Sequence, residues 1–162
     1  MASNLNLYLT VFLLSLLPSF EGRFALLIGI FQGLRPETAI LVAMGGVILL
    51  SMVLPHAFHQ IDNLMGWLSN RRVGEKIASA YLGYVGRLRV KAAPYLDRYG
   101  IPGLILFVAL PIPSSGIWTG ALLAYLLGMG KSKATLILLA GGTLSNLITL
   151  TLAVLGFKLP IH

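Results

Sequence analysis

Glu21 and Arg23 are the only charges in the first apolar stretch of the chain, at a break reading Leu17-Pro18-Ser19-Phe20-Glu21-Gly22-Arg23. An ionisable group in an apolar segment is expensive to bury, and it marks a functional site by default. Desolvation and the nearby guanidinium act on the Glu21 proton in opposite senses, and a carboxyl group held between them suits proton exchange. Arg23 offers planar donors to an anion or a substrate. The plainer alternative is an ion pair that pins a hairpin tip, or a tip shallow enough to be solvated. Two positions apart, the pair does not share a face of a regular helix, so its meeting requires an irregular turn.

A second break carries no charge: Leu110-Pro111-Ile112-Pro113-Ser114-Ser115-Gly116-Ile117-Trp118-Thr119-Gly120. Pro111 and Pro113 supply no N–H to a helix ladder, which frees carbonyls, and Ser114 and Ser115 add two hydroxyls. A half-helix starting near Gly116 presents an N-terminus that draws an anion: a carboxylate, a phosphate or Glu21 itself. The alternative is a proline kink patched by the two serines. Trp118 and Thr119 can line a substrate path or sit in the core or an interfacial belt. Gly116 and Gly120, four apart like Gly29 and Gly33, permit close helix approach.

Other constellations are weaker. His56 and His59 lie three apart with Asp62 nearby, a spacing open to a metal but lacking a fourth ligand, so interfacial snorkelling is the better reading. Asn146 and the threonines 143, 149 and 151 can bond a neighbouring helix or line a pathway. There is no nucleotide loop, no nucleophile with its base and no carboxylate pair. The expectation is a chain that is not an enzyme and takes no cofactor and no metal.

The elements that position these residues follow from composition. The 162 residues are 57% hydrophobic and 10% charged, with mean hydropathy +0.87. That is the composition of an integral membrane protein. No basic residue precedes the first apolar run and no small-x-small site follows it, so a retained first segment is expected rather than a cleaved signal. Without cysteine there is no disulfide framework or thiolate site. The net charge of +7 reads as loops facing anionic lipid, not nucleic acid, because the basic residues are scattered among apolar segments.

Leu5 to Leu17 and Phe24 to Leu34 are each shorter than the roughly 20 residues a crossing needs. They read as a re-entrant hairpin, followed by the turn Arg35-Pro36-Glu37 and a crossing from Thr38 to about Phe58. Ile101 to Leu110 and Ala121 to Met129 form a second short pair, and after Gly130-Lys131-Ser132-Lys133 the run from Ala134 to Phe157 is a second crossing. Between the halves, Gln60 to Gly100 carries Arg71, Arg72, Lys76, Arg87, Arg89, Lys91 and Arg98 around the apolar series Ile77, Tyr81, Tyr84, Leu88, Ala92 and Tyr95. This pattern suits an interfacial amphipathic helix. Leu17-Pro18 answers Leu110-Pro111, and Met44-Gly45-Gly46-Val47 answers Ala140-Gly141-Gly142-Thr143. The expected fold is thus an all-α integral membrane protein in one domain spanning 1–162. Repeat one covers 5–59, the basic connector 60–100 and repeat two 101–158. One crossing per half inverts the second repeat, and the positive-inside rule puts the connector and the Lys131/Lys133 turn in the cytoplasm. If Pro111 and Pro113 only kink one long helix, four or five full crossings result instead.

Tyr99-Gly100, Gly103-Leu104, Phe107-Val108-Ala109, Pro111-x-Pro113, Ser115-Gly116-x-Trp118-Thr119-Gly120-Ala121 and Gly128-Met129 resemble the signature of the small multi-drug export protein family of prokaryotic membranes. Glu21-x-Arg23 resembles that family's acidic-x-arginine motif. Phe24-Ala25-Leu26-Leu27 lacks the proline usual there, and Ser115 replaces a common threonine while keeping the hydroxyl. The family is also similar to the DedA superfamily, and that similarity implies facing re-entrant hairpins and proton-dependent lipid carrier transport.

The expected function is a multi-pass cell-membrane transporter, possible proton coupling included, for a lipophilic or anionic small molecule or lipid. Its site would be Glu21, Arg23, Pro111, Pro113, Ser114, Ser115, Gly116, Trp118, Thr119 and Gly120. A non-transporting scaffold or assembly factor is the alternative. The expected partners are the lipid bilayer, anionic head groups at the connector and a second copy in a homodimer, with no nucleic acid.

Overall fold

The computed structural model describes residues 2–18, 20–69, 80, 83, 86–87, 98–111 and 115–158. The basic connector and its expected interfacial helix therefore lie almost wholly outside the described residues, as do Pro113 and Ser114. The described chain is helical throughout: α1 (Ala2–Leu16), α2 (Glu21–Phe31), α3 (Pro36–Ser69), α4 (Arg98–Ala109), α5 (Ile117–Leu126) and α6 (Lys131–Lys158).

Length separates these helices into two kinds. α3 and α6 each contain a 26-residue apolar stretch, Pro36–Ile61 and Lys131–Gly156, long enough to cross a bilayer. α2 and α5 have 11 and 10 residues, so at 1.5 Å per residue each is about 15 Å long, roughly half the hydrocarbon thickness. Burial does not sort polar from apolar side chains as it does in a water-soluble protein. Ser15, Ser51, Ser145, Asn146 and Thr149 are inside with Glu21 and Arg23, while Leu5, Leu9 and Leu13 on α1 and Leu144, Leu147, Leu152 and Leu155 on α6 face outward. Polar groups inside and leucine outside fit a chain solvated by lipid.

Two backbone patterns recur at a constant step of 95 residues. After α2, the N–H groups of Gln32, Gly33 and Leu34 donate to Ile28, Ile30 and Gly29; after α5, those of Leu127, Gly128 and Met129 donate to Leu123, Tyr125 and Ala124. Each is a Schellman ending with glycine in the left-handed region, φ 95° at Gly33 and 69° at Gly128. The long helices then begin at Pro36 and Lys131, again 95 apart.

The long helices form the spine. Gly142 lies against Val47, and Asn146 against Met44, so numbers fall along α3 as they rise along α6 and the two run antiparallel. Missing side chains set the spacing: a Cβ at Gly142 would come within 2.8 Å of Val47, and one at Gly46 would fall on the Ser15 hydroxyl. Two apolar clusters flank the spine. Val11, Ala25, Leu26, Ala39 and Ala43 join α1, α2 and α3, and Val47, Leu50, Val108, Ile117 and Leu138 join α3 to α4, α5 and α6.

α3 differs from expectation. It runs through Pro55 to Ser69, about ten residues into the segment read as connector. Pro55 is buried, Phe58 stacks on Tyr125 at a centroid distance of 5.7 Å, and these contacts hold the helix beyond the missing N–H. His56 and His59 bond back to the carbonyls of Met52 and Pro55, and no metal-holding group of acidic and histidine side chains occurs among the described residues.

Candidate functional site

The starts of α2 and α5 meet at the centre of this frame. Glu21, the first residue of α2, has φ 49°, a left-handed conformation uncommon outside glycine. This turn aims its carboxylate away from α2 and at the start of α5. There the N-cap is Gly116, which has no side chain to cap the helix and a φ of 155° that glycine alone adopts readily. The Glu21 carboxylate takes that role across 97 residues of sequence: the Trp118 backbone N–H donates to its Oε1 at 3.4 Å. A Cβ at Gly116 would overlap the carboxylate. The N-terminal end of a helix favours negative charge, so Glu21 here acts as a cap supplied by the other half of the molecule.

Arg23 closes the arrangement from the opposite side. Its Nη2 lies 3.4 Å from Glu21 Oε2. Its Nη1 donates to the Leu110 carbonyl at 2.6 Å and to the Ser115 hydroxyl at 3.4 Å, and that hydroxyl donates to the same carbonyl at 2.7 Å. Leu110 directly follows α4 and Ser115 directly precedes Gly116, so the guanidinium joins both sides of the second break to α2. Its carbon also lies 5.5 Å from the Phe24 ring centroid. Glu21 and Arg23 are each 5% exposed, and neither carries an unbalanced charge.

A family profile described as "Putative small multi-drug export protein" matches residues 21–148, which takes in Glu21 and Arg23, the second break, all of α3 and the first part of α6. The chain belongs to this small multi-drug export family. The match and the outward-facing leucine surface together make it a membrane protein of an export family. No curated protein and no solved structure matches the chain.

In this member of the export family, the remaining residues singled out by sequence divide into three groups. Ser115 and Gly116 are buried in the contact just described. Trp118 contributes its backbone N–H to Glu21, and its indole N–H donates to the Leu16 carbonyl at 3.2 Å, tying the end of α1 to the start of α5. Thr119 turns inward to the Gly116 carbonyl, Gly120 gives room to Val108, and Pro111 is exposed. The structure adds residues that sequence reading did not single out. The Leu110 carbonyl is an acceptor that only three-dimensional proximity to Arg23 reveals. Ser145 lines a small cavity with Glu21, Arg23 and Asn146. Its signal in the sequence is a hydroxyl next to Asn146 and four residues before Thr149, within the polar series already noted on this helix.

Proposed function

We propose that the protein is a proton-coupled membrane transporter whose gate is the contact between the starts of α2 and α5. The observation that carries this reading is the buried Glu21 carboxylate shared between the α5 backbone N–H groups and Arg23. With Glu21 ionised, the helix end and the guanidinium are both satisfied. Protonation removes the charge that held them, so the α5 N-terminus and Arg23 become available to an anionic group. Proton binding and substrate binding thereby share the same donors, which couples them without a separate relay element. The substrate class that fits is a lipophilic or anionic small molecule, or a lipid with an anionic head.

The architecture in which this works is a pair of inverted repeats. The 95-residue recurrence and the antiparallel α3 and α6 support it. In that arrangement α1–α2 and α4–α5 are hairpins that enter from opposite faces, and their half-length helices meet near the bilayer middle. The basic connector and the Lys131 turn lie on the cytoplasmic side, where anionic lipid attracts them. Two hairpins and two crossings enclose little volume, which favours a homodimer in the membrane.

The test is flux in proteoliposomes with wild type, Glu21→Gln and Arg23→Ala, using a lipophilic cation, an organic anion and a labelled phospholipid as probes. Flux of one probe that a pH gradient accelerates, and that neither variant supports at the wild-type rate, is the expected result. Folded wild-type protein that moves none of the three in either gradient direction favours the scaffold reading.

A further inference from the structure

A cavity of about 10 Å³ beside the gate is lined by Glu21, Arg23, Val47, Ile117, Ser145 and Asn146. That volume admits about one water. The Ser145 hydroxyl, 5% exposed, has no hydrogen-bond partner among the described residues, and neither has the Thr149 hydroxyl one turn further along α6, also 5% exposed. The two stand at i and i+4 on one helix face.

The repeat provides an internal control for what packing alone requires there. A step back of 95 residues from Ser145 and Thr149 leads to Leu50 and Leu54 on α3, buried to the same degree at 6% and 4%. Leucine fills these positions in one half, so the hydroxyls in the other are not demanded by packing. Because α3 and α6 are antiparallel, the leucines lie towards the Lys131 end of α6 and the hydroxyls lie away from it, on opposite sides of Glu21. Ser51, the equivalent of Asn146, is a lone buried hydroxyl between those leucines.

We infer that Ser145 and Thr149 form the proton entry to Glu21, a hydrated half-channel on the side remote from the Lys131 turn, while Leu50 and Leu54 keep the other side dry. The inference rests on the reading of Glu21 as the proton-exchanging group. An excess proton enters from bulk water on that side and passes along the waters by Thr149; the water held by Ser145 and Asn146 takes a proton from its neighbour and gives one to the carboxylate. It is left unchanged, and Glu21 becomes the neutral acid. The titratable group facing Glu21 among the described cavity residues is Arg23 on its own helix; α3, α5 and α6 present Val47, Ile117, Ser145 and Asn146, none of which titrates.

The experiment is hydrogen–deuterium exchange at the Glu21 carboxyl, followed by infrared spectroscopy of the full chain in nanodiscs after a switch to D2O. The band is identified by its loss in Glu21→Gln. Ser145→Ala and Thr149→Val are expected to slow exchange on the order of tenfold, with Thr149→Ser retaining the wild-type rate and Leu54→Val leaving it unchanged. Wild-type rates in both hydroxyl-free variants overturn the route but leave the role of Glu21 standing. Absence of any band that Glu21→Gln removes overturns both. A second readout does not depend on those variants folding identically: in this cysteine-free chain, a water-soluble maleimide is expected to label Thr149→Cys from one face and Leu54→Cys from neither. Equal labelling of the two overturns the inference.

Discussion

The Glu21 carboxylate occupies the space into which a side chain at Gly116 would project. By the 95-residue correspondence, each stands at the equivalent start of a half-length helix, and each has a positive φ, 49° and 155°. Glu21 carries the charge and Gly116 has no side chain at all, so the two helix starts approach without a second carboxylate to repel the first.

Gly116→Ala is expected to separate this contact. The added Cβ displaces the carboxylate, and alanine is strained at φ 155°. A loss of about 1–3 kcal/mol is expected from the backbone alone, read as a lowered unfolding midpoint in detergent, together with loss of gradient-driven flux.

The pair Glu21 and Arg23 should show strong non-additivity. Arg23→Leu leaves a buried carboxylate without its cation and the Leu110 carbonyl with the Ser115 hydroxyl as its remaining donor, an expected cost of about 3–5 kcal/mol. Glu21→Gln retains an acceptor for the α5 N–H groups and should cost less. The double variant is expected to be more stable than Arg23→Leu alone, a sign that a double-mutant unfolding cycle measures directly.

Trp118→Phe removes the indole N–H that reaches the Leu16 carbonyl while preserving a ring and the backbone donor to Glu21. Stability should fall by about 0.5–1.5 kcal/mol, the worth of one hydrogen bond. Amide hydrogen exchange should accelerate around residues 14–18, where α1 ends, more than elsewhere.

A Cβ at Gly22 would approach the Asn146 amide at 2.8 Å and Val47 at 3.1 Å. Gly22→Ala is accordingly expected to cost about 1–3 kcal/mol through overpacking. Asn146→Ala in the same chain should restore part of that loss by making room, and an unfolding titration of the double variant checks it.

Part of this molecule was legible in the amino-acid order because it is written in local terms. Apolar run length separates α3 and α6 from the short helices, and the motif around Ser115 to Gly120 carries the family; Gly33, read with Gly29 as a close-packing pair, instead ends α2 in the left-handed region with no neighbour where a Cβ would stand. Glu21 and Arg23 stand out because charge is rare in such a chain. What was not legible depends on partners distant in sequence. The crossing reads as ending near Phe58, yet α3 runs on to Ser69, past the point where Phe58 packs on Tyr125. A backbone carbonyl such as Leu110 has no signature, so its role as the acceptor for Arg23 emerges only when α2 and the second break are adjacent. Ser145 in isolation is a small residue in a helix. Its meaning comes from the cavity it lines and from the leucine that holds the equivalent place on α3.

The Trp118 backbone amide tests the central contact most directly. The chain has two tryptophans, so a solid-state NMR spectrum of tryptophan-¹⁵N protein in lipid is simple, with Trp67 in α3 as the internal reference. The Trp118 amide signal is expected to move with pH in wild type and to stay fixed across the same range in Glu21→Gln, while Trp67 stays fixed in both. A Trp118 amide that ignores both pH and the loss of the carboxylate would contradict the contact on which this account stands.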